Sequence, residues 1–140
     1  MEEKNRFVNR KTCIYDGKVW VNCSGTKTAS KNGVDLGEKY WVTRDGDIAS
    51  MWGGHLKPLA NKNVYGYYEV RMSVMKKGVK VEKTVRVHRI IAEIFIGDIP
   101  EGYVVDHKNR IRWDNRAENL RIVTVAENNL NTHRTKNSPS

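Results

Sequence analysis

The sequence predicts an α+β fold, with a β-hairpin-rich N-terminal part followed by a compact strand–strand–helix unit. Three observations predict it. Asp-Gly pairs punctuate short runs of aromatic and β-branched residues in the first half of the chain. A helical stripe of apolar residues first appears at Val87, and two short apolar runs then lead into a helix-start signal at Thr124.

Asp16-Gly17 lies between Cys13-Ile14-Tyr15 and Val19-Trp20-Val21, and Asp45-Gly46 lies between Tyr40-Trp41-Val42-Thr43 and Ile48-Ala49-Ser50. Asp-Gly accepts the two positive φ angles of a type I′ turn, so both pairs are expected to close two-residue hairpins. A third hairpin is expected to join residues 65–75 to residues 79–87 around Lys76-Lys77-Gly78. Val87, Ile90, Ile91, Ile94 and Phe95 then fall on one face of a short helix, which Gly97 ends before a turn at Pro100-Glu101-Gly102. Tyr103-Val104-Val105 is a strand leading into Asp106-His107, and a polar loop runs on to Glu118. Leu120, Ile122 and Val123 give the partner strand. Thr124-Val125-Ala126-Glu127 is a capping box that opens a last helix carrying Asn128 and Asn129. The expected organisation is a basic strand-rich part over residues 1–83, a strand–strand–helix unit over 84–130 and a flexible tail over 131–140.

A chain of 140 residues can build one modest core or two small modules sharing one. No apolar run approaches the roughly 20 residues of a membrane span, and the polar start Met1-Glu2-Glu3-Lys4-Asn5 is no signal peptide, so a cytoplasmic protein with no membrane partner is expected. Cys13 and Cys23 are expected to be free thiols there. They lack the paired spacing of a zinc ribbon, which argues against a structural zinc. The formal net charge is +9, and residues 1–83 hold 16 Lys/Arg against 9 Asp/Glu, so the N-terminal part is the expected grip on a polyanion.

The stretch Val105-Asp106-His107-Lys108-Asn109, then Asp114-Asn115-Arg116-Ala117-Glu118-Asn119-Leu120-Arg121-Ile122-Val123-Thr124, then Glu127-Asn128-Asn129, resembles the core of phage- and intron-encoded HNH homing endonucleases. That core is a ββα-metal finger. The run from Val87-His88-Arg89 to Ile96 is similar to the helix that precedes it. More weakly, residues 37–50 resemble the small strand-rich module that often stands before the finger.

The resemblance implies a metal-dependent DNA endonuclease acting on double-stranded DNA, leaving 5′-phosphate and 3′-hydroxyl ends. Phosphodiester hydrolysis needs an activated water, a cation on the phosphate and stabilisation of the leaving oxygen. His107 is the candidate general base, because an imidazole titrates near neutral pH. Asp106 and Asn128 offer hard oxygen ligands for a single Mg²⁺ or Mn²⁺. By resemblance, the Asn119 amide holds the loop and orients His107 from behind. Asp106 and His107 are strand neighbours, so they share one site only if the strand ends or twists there.

Arg86, Arg89, Lys108, Arg110, Arg112 and Arg116 are the candidate DNA contacts. The family commonly has a glycine where this chain has Arg110, and Asn109 is the residue expected to take the left-handed conformation instead. Trp113 is read as a core anchor in preference to a groove contact, and His88 as packing or hydrogen-bonding between helix and sheet. One finger cuts one strand, so a double-strand break requires a homodimer or two successive events. Some ten residues follow Asn129, and modest specificity or a protein partner is the expectation. The competing readings are a non-catalytic DNA-binding protein that retains the scaffold, and a nuclease toxin of the same class.

Overall fold

The computed structural model describes residues 10–59 and 62–129, the side chains of 62–64 excepted. The expected tail over residues 131–140 and His133 lie outside the described residues. In chain order the elements are β1 (Thr12–Tyr15), β2 (Lys18–Asn22), β3 (Ser30–Lys31), β4 (Val34–Asp35), β5 (Tyr40–Val42), β6 (Ile48–Trp52), β7 (His55–Pro58), β8 (Lys62–Val64), β9 (Tyr67–Lys76) and β10 (Val79–Arg86). Then follow α1 (Val87–Phe95), β11 (Tyr103–His107), a 3-10 turn (Ala117–Asn119) and β12 (Leu120–Thr124), after which residues 125–129 are helical. The fold is α+β, as the sequence predicts. No helix among the described residues is long and apolar enough to cross a membrane.

The strands form antiparallel sheets of order β1-β2-β5-β6-β7 and β10-β9-β8, with β11-β12 and β3-β4 as separate pairs. Hairpin chemistry builds most of this. Asp16-Gly17 has φ of 55° and 77° between paired Tyr15 and Lys18, which is the expected two-residue turn with both φ angles positive. Lys77-Gly78, with φ of 51° and 79°, closes β9 against β10 in the same way. Asp45-Gly46 does not. Gly46 alone is positive there, at 96°, and Gly46 N–H donates to the Thr43 carbonyl while Thr43 N–H donates to Asp47. The loop is therefore a three-residue connection, Arg44-Asp45-Gly46, closed by Thr43 Oγ1 donating to Asp47 Oδ2 at 2.7 Å.

One apolar core runs through these sheets and the C-terminal unit. Val21, Val42 and Ile48 meet Val70, Met72 and Val85 of the long hairpin, Ile90, Ile91 and Ile94 of α1, and Val105 and Leu120 of the final strand pair. Each such side chain contributes about 1.5–3 kcal/mol by leaving water, so α1 is held by its apolar stripe rather than by its ends. Its first residue follows Arg86, which makes no side-chain cap. Cys13 and Cys23 are both free, and burial of Cys23 pushes its thiol pKa up.

Glu93 is a buried polar tie between the two parts. Its buried carboxylate accepts from Lys27 N–H at 2.7 Å, Thr28 N–H at 2.9 Å and Thr28 Oγ1 at 2.6 Å. Hydrogen bonds to a charged acceptor are worth more than neutral ones, and removing that acceptor leaves two amides unpaired. Glu93→Ala is expected to lower the unfolding free energy by about 3 kcal/mol, read from urea denaturation.

Candidate active site

Strand β11 delivers Asp106 and His107 at its end, and the loop after them folds back to hold His107. Pairing continues to the end of the strand, with Asp106 opposite Arg121 and His107 opposite Leu120. Both side chains are buried. Their partners differ. Asp106 Oδ2 accepts from Arg121 Nε at 2.9 Å, whereas His107 Nε2 lies 2.9 Å from Asn115 Oδ1. A carbonyl oxygen facing Nε2 places the ring proton there, which leaves the Nδ1 lone pair as the basic atom.

The strand ends at His107, with pairing continuous through Asp106. The turn comes later, where Arg110 takes φ of 64° and Arg110 N–H donates to the His107 carbonyl. Asn109, the residue expected to turn, instead donates from Nδ2 to Asp114 Oδ2 at 2.7 Å and accepts from Ile111 N–H at 2.9 Å. Its side chain is spent bracing the loop, so the arginine itself carries the strained conformation at a cost of about 1 kcal/mol. Asn119 spans the loop: Oδ1 accepts from Asn109 N–H, and Nδ2 donates to Asn109 Oδ1 and the Asp114 carbonyl, at 2.9–3.1 Å. It holds the loop as expected. The contact with the imidazole, expected from Asn119, is made by Asn115.

Three rings lie together behind the site. Tyr67 stacks on His88 at 5.2 Å between centroids, and His88 lies 4.9 Å from His107. His88 packs between helix and sheet, but its buried Nδ1 has no hydrogen-bond partner among the described residues. Burial, assisted by His107, Arg86 and Arg89, lowers its pKa to about 3. Burial also lowers the His107 pKa, although the Asn115 hydrogen bond and the Asp106 and Asp114 carboxylates oppose it. Both rings are neutral at pH 7.

A buried neutral histidine gains protons on unfolding wherever the pH lies between its folded and free values. Its stabilising effect is complete above pH 6.5 and declines as the pH falls toward 3. Between pH 7.5 and 4.5 His88 is expected to cost the fold about 2–3 kcal/mol. His88→Phe, which keeps a ring on Tyr67, should flatten the fall in Tm over that interval.

The cations are unequally available. Lys108, Arg110, Arg112 and Arg116 are exposed. Arg116, however, is paired through Nη2 with Asp114 and through Nη1 with Glu118, both at 2.8 Å. Asp114 is held well below the usual carboxylate range, first by Arg116. Arg112 donates to the Tyr65 carbonyl at 2.8 Å and lies over the Tyr67 ring, where Arg86, paired with Glu69, also sits. Arg89 is half-buried and lines a cavity of about 430 Å³ with Lys27, Lys83 and Glu93. Asn128 is half-buried one turn into the final helix, whose expected capping box forms: Thr124 Oγ1 accepts from Glu127 N–H and Glu127 Oε1 accepts from Thr124 N–H. Trp113 does not anchor the core. It is 55% exposed and lines a groove with Tyr15, Trp20 and Tyr68.

Residues 85–130 match the family model described as HNH endonuclease. Over those residues the chain is similar to HNH endonucleases. The HNH homing endonuclease YosQ of the SPbeta prophage in Bacillus subtilis (strain 168) is 36% identical over 93 residues, covering 65% of this chain and 50% of that one. DNA endonuclease I-HmuI of Bacillus phage SP01 is 37% identical over 86 residues, covering 61% of this chain and 46% of that one. This chain thus spans about half the length of these relatives. A solved structure of DNA binding and cleavage by the HNH homing endonuclease I-HmuI superposes with a TM-score of 0.61 at 29% identity, over 86% of this chain and 60% of that one. The superposition extends well beyond the HNH finger into the strand-rich part.

Sequence reasoning did not single out Asn115, Arg121, Tyr67 or Gly46 as parts of the site. Arg121 was within reach, because pairing the two finger strands places it directly opposite Asp106 as a cross-strand charge pair.

Proposed function

We propose that the chain is a divalent-metal-dependent HNH endonuclease that hydrolyses DNA, cutting one strand per active site. The observation that carries the reading is the hydrogen bond from His107 to Asn115 beside the Asp106 carboxylate. It orients an imidazole that burial keeps neutral, and it leaves Nδ1 with no hydrogen-bond partner among the described residues. His107 Nδ1 takes the proton from the attacking water. The resulting imidazolium is stabilised by Asn115 Oδ1 and by the neighbouring carboxylates. Asn119 contributes by keeping the loop closed around the ring.

Asp106 and Asn128 supply one carboxylate and one amide, a hard oxygen donor set suited to a cation that keeps most of its shell as water and phosphate. Mg²⁺ or Mn²⁺ fits this set, and when bound it supplies charge neutralisation on the scissile phosphate and the leaving oxygen. The Arg121 contact to Oδ2 holds the carboxylate oriented in the free protein.

The grip on double-stranded DNA is assigned to the exposed cations. Lys108, Arg110, Arg112 and Arg116 are exposed on the loop that follows His107, Arg86 and Arg89 flank His88 in the chain, and the β9–β10 ribbon carries Lys76, Lys77 and Lys80 at its tip. A two-stranded ribbon has the width a major groove admits. Such an enzyme works where DNA is, in the cytoplasm of a bacterial or phage-infected cell, and a double-strand break needs a homodimer or a second event.

Incubation with supercoiled plasmid in Mg²⁺ or Mn²⁺ is expected to give open circles, abolished by EDTA. The Arg121–Asp106 pair favours a second reading, a DNA-binding scaffold whose carboxylate is already neutralised. It requires that the protein shift DNA in EDTA and never nick it.

A further inference from the structure

The finger's catalytic loop does not stand alone; it is pressed between two turns of the strand-rich part. On one side, the turn between β5 and β6 meets residues 115–117. Ala117 N–H donates to the Arg44 carbonyl at 2.7 Å, and a Cβ placed on Gly46 would lie 3.0 Å from the Asn115 carbonyl carbon and oxygen and 3.1 Å from its Cβ. On the other side, Arg112 donates to the Tyr65 carbonyl at the turn before β9, and Tyr67 packs 6.1 Å from the His107 ring. The residue caught at the first contact is the one that faces His107 Nε2.

We propose that Gly46 is a positioning residue for the general base: the β5–β6 turn braces the Asn115 backbone, and Asn115 in turn fixes the orientation of the His107 ring. This rests on the proposed role of His107. Gly46 lies outside the segment that matches the HNH model, so the strand-rich part completes the site as well as contributing charge to DNA binding. Two features require glycine. Its φ of 96° is one that L side chains rarely adopt, and the space a Cβ would take is filled by backbone, which cannot rotate away. A displacement of a few tenths of an ångström at Asn115 passes directly to a 2.9 Å hydrogen bond, whose strength depends steeply on geometry.

A glycine that only closes a turn would affect stability and nothing else, so the test is a double-mutant cycle with Asn115. Gly46→Ala is expected to lower kcat for plasmid nicking about tenfold or more, with KM changed less than about twofold. In an Asn115→Ala background the same change should cost less than about twofold, because the link it disturbs is already gone. Gly46→Asn, whose side chain tolerates a positive φ but still adds the Cβ, repeats the cycle at less cost to the turn. An equal kcat loss in both backgrounds, or a lowered Tm with unchanged kcat, overturns the proposal. Imidazole ¹⁵N shifts of His107 give a reading that needs no cleavage. The wild type is expected to show the Nε2-protonated tautomer and Gly46→Ala a mixture. An unchanged tautomer overturns the brace even if His107 proves to be the base. Nicking by His107→Ala at the wild-type rate removes the base assignment and leaves the tautomer result to judge the brace.

Discussion

His107→Ala is expected to lower the nicking rate by roughly three orders of magnitude while changing DNA affinity by less than about twofold. The two effects separate because the ring is buried beside Asn115 and His88 and is neutral, so it offers the DNA phosphates no charge. A general base contributes its proton transfer in the transition state and nothing to ground-state binding. Initial rates on supercoiled plasmid give the first quantity, and mobility shift in EDTA gives the second. Asn115→Ala should fall in the same direction by about 10–100-fold, because the ring remains but its tautomer and orientation are no longer fixed. Cutting by His107→Ala at the wild-type rate contradicts the assignment.

Asp106→Ala is the second large effect, expected to cost roughly a thousandfold in rate and to abolish the dependence on added Mg²⁺ or Mn²⁺. Its effect on stability should be small. The partner Arg121 has a side chain 44% exposed, so the guanidinium left behind is hydrated and the loss stays below about 1 kcal/mol. Arg121→Ala probes the same carboxylate from its other side. It leaves the proposed metal ligand in place, so a rate loss much smaller than that of Asp106→Ala is expected.

The order of elements was legible because it rests on local rules. The Asp16-Gly17 and Lys77-Gly78 turns, the stripe of α1 and the Thr124 capping box each depend on a few adjacent residues, and each forms as read. Asn32-Gly33 carries the same turn signal, with φ of 50° and 80°, but its flanking strands are two residues long and show no periodicity. Tyr65-Gly66 was hidden for another reason. Tyrosine rarely takes φ of 54°, and the turn stands because Arg112 binds the Tyr65 carbonyl from far along the chain. Asp45-Gly46 misled because the Thr43–Asp47 contacts widen the loop by one residue.

The site shows the same division. Asp106, His107, Asn119 and Asn128 are visible as a spaced pattern, but spacing does not say which asparagine faces the imidazole. That depends on the loop's path, which Arg110 and Gly46 determine through contacts distant in sequence. Trp113 was misjudged because size alone suggests burial, whereas here the indole lines an open groove.

A crystal structure of the protein with Mn²⁺ and uncleaved duplex DNA tests the central claim most directly. Anomalous density in contact with Asp106 and Asn128, and His107 Nδ1 facing the scissile phosphate with Nε2 on Asn115, is the predicted result. Mn²⁺ bound elsewhere, or an imidazole turned away from the phosphate, would contradict it.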